Sequence, residues 1–194
     1  MTTTLKVVLL GKSGVGKTAI LDLFTNDIFN ENLMFSLSAQ FISKTIILEE
    51  LNQTIKFDLW DTSGNNRFRS LSKIFYHDAN VICLCYDSTN KYSFKELKNY
   101  WHDKEIKIRV DNDPILVIVA TKNDLYINQE VGDEEGKTFA KEINAIFQST
   151  SAKSYFGITS LFENIARKYF DPSFDFNEIE NRKKRVKLNN FIKI

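Results

Sequence analysis

The sequence predicts an α/β fold, a mostly parallel sheet with helices on both faces and one antiparallel hairpin at an edge. Three observations carry this reading. Strand-like and helix-like segments alternate along the chain. Two strand-like segments, 81–86 (VICLCY) and 115–120 (ILVIVA), are continuously apolar, as strands covered on both faces are. Two others, 41–48 and 53–60, are joined only by residues 49–52, a connection short enough to make the pair antiparallel.

The elements follow in order. Residues 5–10 (LKVVLL) form a short apolar run ending at Gly11, a buried strand. Residues 18–24 place Ile20, Leu21 and Phe24 on one helical side. The hairpin comes next, then the strand 81–86, a helix over 92–109 and the strand 115–120. Two more helices are expected over 134–147 and 160–170, with a strand-like segment leading into Thr150. The compact domain is expected over 1–171 and a polar, basic tail over 172–194. Five of the six residues from Arg182 to Lys187 are basic: Arg182, Lys183, Lys184, Arg185 and Lys187. Such a run is a solvated tail, or it contacts acidic lipid or an acidic partner at about 1 kcal/mol per basic residue.

Composition removes other classes. The chain has 194 residues, enough for one domain. At 43% hydrophobic and 26% charged it is an ordinary globular chain and not a wholly disordered one. A net charge of +1 gives no whole-chain case for nucleic-acid binding. Apolar runs reach about six residues, whereas a bilayer-spanning helix needs about 20. The first residues lack a secretory signal pattern. Cys83 and Cys85 stand two apart on a strand with near-parallel side chains, a poor disulfide geometry. They read as buried core residues in a reduced, cytoplasmic compartment.

The chemistry begins at residues 11–18, GKSGVGKT, which match G-x-x-x-x-G-K-[ST] between a strand and a helix. The glycines let the backbone curl its N–H groups around an anion, and the helix N-terminus adds positive potential. Ser13, Gly14, Val15, Gly16, Lys17, Thr18 and Ala19 are therefore the candidate phosphate-binding residues. Lys17 can reach the β- and γ-phosphates, and the Thr18 hydroxyl can ligate Mg²⁺. By itself this motif does not choose the base.

Three later segments do. Residues 61–64 form D-x-x-G, where Asp61 can hold Mg²⁺ and the Gly64 N–H can meet the γ-phosphate. In 121–124 (TKND), Asp124 can accept from guanine N1–H and the 2-amino group, and adenine has neither donor. Lys122 can lay its stem along the base, beside Thr121. In 150–153 (TSAK), Ser151, Ala152 and Lys153 form the last segment, with the Ala152 N–H aimed at guanine O6. All four motifs stand in order at the carboxyl ends of strands, where ligands bind in open α/β sheets. A phosphotransferase using ATP would fit the first motif but not Asp124 and Ala152.

Taken together, GKSGVGKT, WDTSG, TKND and TSAK resemble the nucleotide-binding motifs of the Ras superfamily of small GTPases. RFRSL at 67–71, FYHDA at 75–79 and CYDST at 85–89 resemble its Rab branch most closely. The resemblance implies a six-stranded sheet with five helices, GTP and GDP as ligands with Mg²⁺, and a switch acting in membrane traffic. It also implies effector proteins, an exchange factor and a GTPase-activating protein as partners, and a location peripheral on endomembranes. It places Phe29 against the base. It makes Phe41, Trp60 and Phe75 an aromatic cluster read by partners, a role compatible with plain core packing.

The switch loops depart from that pattern. The family's Thr, nineteen residues after Lys17, is here Ser36, followed by Leu37 and Ser38. Ser keeps an oxygen for Mg²⁺ but lacks the β-branch that stiffens χ1. The family's water-orienting Gln is Asn65, followed by Asn66. One methylene fewer withdraws the amide by about 1 Å, a displacement that can cost roughly 10²-fold in rate. Lys17, Ser36 and Asn65 are thus the candidate catalytic residues, Thr18, Ser36 and Asp61 the candidate Mg²⁺ ligands, and slow hydrolysis is expected. No cysteine follows Cys85, so no prenyl-type anchor is expected within this sequence. The main alternative is a nucleotide-holding interaction module that barely hydrolyses, either alone or as one domain of a longer protein.

Overall fold

A computed structural model describes residues 2–31, 39–64, 72–109 and 113–174. Six strands form one sheet: β1 (Thr2–Leu10), β2 (Gln40–Leu48), β3 (Gln53–Asp61), β4 (Val81–Asp87), β5 (Ile115–Thr121) and β6 (Ile146–Ser149). Their order is β2-β3-β1-β4-β5-β6. β2 pairs antiparallel with β3 at one edge, and all other pairs are parallel. β1 lies between β3 and β4, so the chain leaving it sits where the strand order reverses and a crevice opens.

The helices divide between the faces. α1 (Lys17–Asn26) and α5 (Ile158–Phe170) cover one; α2 (Ser72–Tyr76), α3 (residues 91–109) and α4 (Asp133–Glu142) cover the other. Alternate residues of one strand serve both cores, which is why β1 and β4 carry apolar runs. Val7 and Leu9 pack with Ile20, Leu21 and Phe24, while Val8 and Leu10 pack with Phe94, Leu97 and Trp101. On the first face Phe24 stacks on Phe162 at a ring separation of 3.6 Å, and Phe57 closes edge-on at 6.0 and 5.5 Å. Cys83 and Cys85 are buried free thiols on that face.

Three segments differ from the sequence reading. The helix expected over 134–147 ends at Glu142. Asn144 takes φ 54, which breaks the helix, and 146–149 pair with β5, satisfying a sheet edge that a longer helix would leave open. The helix at 91–109 is not uniform. From Leu97 to Ile106 its turns widen, and at the end of this stretch the Lys107 N–H donates five residues back to the His102 carbonyl. A widened turn has no simple hydrophobic period to announce it. α2 is the fifth helix that the resemblance implies, and it is too short to show a period that would place it.

At Gly136 helix α4 lies tight against the sheet. A Cβ there would lie 2.6 Å from Tyr86 Oη and would collide with the Phe147 ring. Gly136→Ala is expected to cost about 1–3 kcal/mol, seen as a lower thermal midpoint. Burial pushes the Cys85 thiol up to about 12, so almost none is thiolate at pH 8. Both cysteines should resist iodoacetamide in the native protein and react after denaturation, with peptide mass spectrometry as the readout.

Candidate nucleotide site

The loop after β1 is shaped by three glycines with positive φ: Gly11 at 147°, Gly14 at 81° and Gly16 at 99°. Gly11 must be glycine for a second reason, since a Cβ would strike the Cys85 carbonyl of β4. Gly16 ends the loop as the N-terminal cap of α1. Lys17, the first helical residue, is almost fully buried and donates to the carbonyls of Gly11 at 3.0 Å and Lys12 at 3.1 Å. Desolvation lowers its pKa, and the negative charge of Asp61 opposes that shift. Lys12 turns outward, its ammonium 4.7 Å from the Tyr92 ring centre.

At the end of β3, the Thr18 hydroxyl donates to Asp61 Oδ2 at 2.5 Å. Two hard oxygen donors from different elements thus meet beside the loop, a set suited to Mg²⁺. Thr62 Oγ1 donates to the Leu9 carbonyl at 2.6 Å, tying this strand end to β1. Gly64 lies directly on the loop, its carbonyl accepting from the Ser13 N–H at 3.2 Å, and a Cβ there would overlap the loop backbone.

The other end of the site is built from the loops after β5 and β6. The buried Thr121 hydroxyl lies 2.5 Å from the Val15 carbonyl and 3.0 Å from that of Tyr86, sharing its proton between the phosphate loop and the sheet. Lys122 takes φ 59, and its ammonium pairs with Asp87 Oδ2 at 2.6 Å. Asp124 Oδ1 accepts from Ser151 Oγ at 2.6 Å. Ser151 Oγ also accepts from the Ser154 N–H at 3.1 Å, and the Asn123 N–H donates to the Thr150 carbonyl at 3.1 Å. These bonds brace the two loops against each other. Lys153 Nζ pairs with Glu31 Oε1 at 2.5 Å.

These elements enclose one cavity of about 360 Å³. Of the residues singled out in the sequence, Ser13, Gly14, Gly16, Lys17, Thr18, Ala19, Phe29, Gly64, Thr121, Lys122, Asp124, Ala152 and Lys153 line it. Val15 and Ser151 do not; Val15 is a core residue, and Ser151 is a buried brace that fixes Asp124. Asp61 stands just behind the lining, bonded to Thr18. Ser36 and Asn65 lie outside the described residues, as do Arg67–Leu71 and the basic run at 182–187. The sequence reading missed Ile20, Asn30, Glu31, Thr62 and Leu125 as lining residues, and Asp87, which orients Lys122. Asp87 had a cue in its place at the carboxyl end of an apolar strand, and Thr62 in its place inside the D-x-x-G segment.

Phe41, Trp60 and Phe75 form a continuous aromatic surface, with ring separations of 5.0 and 5.5 Å. Phe41 is 51% exposed, so the cluster is more than core.

Replacing Thr121 with Val keeps the volume and removes the proton shared by two carbonyls. The change should cost about 1–3 kcal/mol. Because Val15 is one of the two acceptors, nucleotide affinity should fall about tenfold, measured by titration of fluorescent GDP against the parent.

The Ras family model matches residues 6–171. The Ras-related protein RabC of Dictyostelium discoideum is 35% identical over 158 residues, covering 81% of this chain and 80% of RabC. The Ras-related protein RabJ of the same organism is 38% identical over 163 residues. That alignment covers 84% of this chain but 62% of RabJ. A glycine-shaped loop at the sheet's switch point, a cavity shared by that loop and the loops after β5 and β6, and these likenesses agree: the chain belongs to the Ras family and is a small GTPase close to its Rab branch.

Proposed function

We propose that the protein is a Rab-like switch in membrane traffic that binds GTP and GDP with Mg²⁺ and hydrolyses GTP slowly. The observation that carries this reading is that the loops after β1, β5 and β6 share one cavity. It is lined at one end by Lys17, Thr18 and Gly64 and at the other by Asp124 and Ala152. In the reading, Ser13 to Ala19 hold the phosphates through backbone N–H groups and the Lys17 ammonium. Asp124, fixed by Ser151, accepts from guanine, Lys122 lies along the base with its charge held by Asp87, and Phe29 packs on the base. Thr18 and Asp61, with Ser36, would hold Mg²⁺. The ion would neutralise phosphate charge.

Slow hydrolysis follows from Asn65 in place of a Gln, which leaves the attacking water less well oriented. Phe41, Trp60 and Phe75, with the loops beside them, form the surface for effectors, an exchange factor and a GTPase-activating protein. Residues 1–171 are the nucleotide-binding domain, a division supported by the family match to 6–171. Arg182, Lys183, Lys184, Arg185 and Lys187 give the remaining tail a contact for acidic membrane or an acidic partner. The proposed location is cytoplasmic, peripheral on endomembranes. The second reading, an interaction module that holds nucleotide without switching, rests on Ser36-Leu37 and Asn65-Asn66 together.

Single-turnover hydrolysis of bound GTP separates these readings. Asn65→Gln is expected to raise the rate by about 10- to 100-fold. Equal, very slow rates in both proteins would favour the interaction module. A parent already as fast as ordinary small GTPases would overturn the argument from the missing methylene.

A further inference from the structure

We infer that Glu31 is a positioning residue for the base end of the site: paired with Lys153, it ties the segment leaving α1 to the platform of the two base loops and so slows nucleotide release. The inference rests on the reading of the cavity as a guanine-nucleotide site.

The geometry has three parts. First, Glu31 and Lys153 both line the cavity, yet they belong to elements far apart in the chain. Their 2.5 Å ion pair therefore joins two separate parts of the cavity's wall. Second, the two ends of the tie differ in support. Lys153 stands on a braced loop, where Ser151 bonds Asp124, Ser154 and, through its N–H, the Phe156 carbonyl. Glu31 follows the end of α1, where Asp27 takes φ 56 and its N–H closes on the Leu23 carbonyl. The chain then runs past Ile28, largely exposed, to Phe29. Phe29, two residues before Glu31, lines the cavity and is proposed to cover the base. Holding Glu31 therefore restrains the chain that carries Phe29. Third, the pair is open to water, with side chains 62% and 58% exposed, so it can part without a large rearrangement.

The exposure also sets the size of the effect. A solvent-exposed ion pair contributes little, and most such pairs fall at or below a fivefold change in an equilibrium. The pair should also be weakened by salt, because the screening length falls from about 10 Å at 0.1 M to about 3 Å at 1 M. A plain packing role for Glu31 would show no such salt response.

The test uses the full chain loaded with fluorescent GDP, with dissociation followed after adding excess unlabelled GDP. Glu31→Gln is expected to release nucleotide about threefold faster at low salt and to lose most of the parent's acceleration by salt. A second variant guards against a local packing defect. Exchanging the charges, Glu31→Lys with Lys153→Glu, should release more slowly than Lys153→Glu alone, since the exchange restores the pair. Parent and Glu31→Gln with the same rate and the same salt response would overturn the inference while leaving the nucleotide site intact. So would an exchange variant no slower than Lys153→Glu. A parent that retains no guanine nucleotide would overturn the proposed function and this inference with it.

Discussion

Burying an ammonium in a protein costs several kcal/mol unless its protons and its charge are matched. Lys17 is buried at the carboxyl edge of the sheet, and the surrounding structure is arranged to match it. The carbonyls of Gly11 and Lys12 take its protons, and Asp61 offsets its charge. Those carbonyls turn inward because the loop curls through positive φ at its glycines. Gly11 in turn lets β1 press against the Cys85 carbonyl of β4. Asp61 arrives because β3 lies beside β1 in parallel register, with Leu9 opposite Asp61. One charged group thus fixes how three strand ends meet.

The base end follows a different rule. There, hydrogen bonds between loops and one buried carboxylate, Asp87, set the geometry. Asp124 and Ser151 hold each other, Asn123 bonds across to Thr150, and Thr121 reaches back to the phosphate loop. Thr121 makes the two ends one site, since its hydroxyl touches Val15 on one side and the β4 backbone on the other. Asp87 adds orientation by holding the Lys122 ammonium. Glu31 and Lys153, which pair beside this end, are largely exposed.

Behind the aromatic surface, α2 is not free of the core. The Tyr76 hydroxyl donates to buried Glu105 at 2.7 Å, inside the widened section of α3. Lys6 of β1 donates to the His77 carbonyl and lies near the Trp60 ring. The aromatic cluster of Phe41, Trp60 and Phe75 therefore rests on a helix held from two sides.

The sequence by itself determined the fold class, the strand order of events along the chain and thirteen of the residues that line the cavity. These were legible because they are local: a glycine-rich turn needs glycine, a strand covered on both faces must be apolar throughout, and each motif lies at a strand end. Tertiary structure decided the rest. It ended α4 at Glu142 because pairing 146–149 with β5 satisfies a sheet edge, a long-range gain that local spacing does not reveal. It widened α3 and placed the short α2, neither of which has a period to read. It set Ser151 against Asp124, Asp87 against Lys122 and Glu31 against Lys153. Those pairings join residues 27, 35 and 122 positions apart, and nothing local in a sequence specifies a partner at such distance.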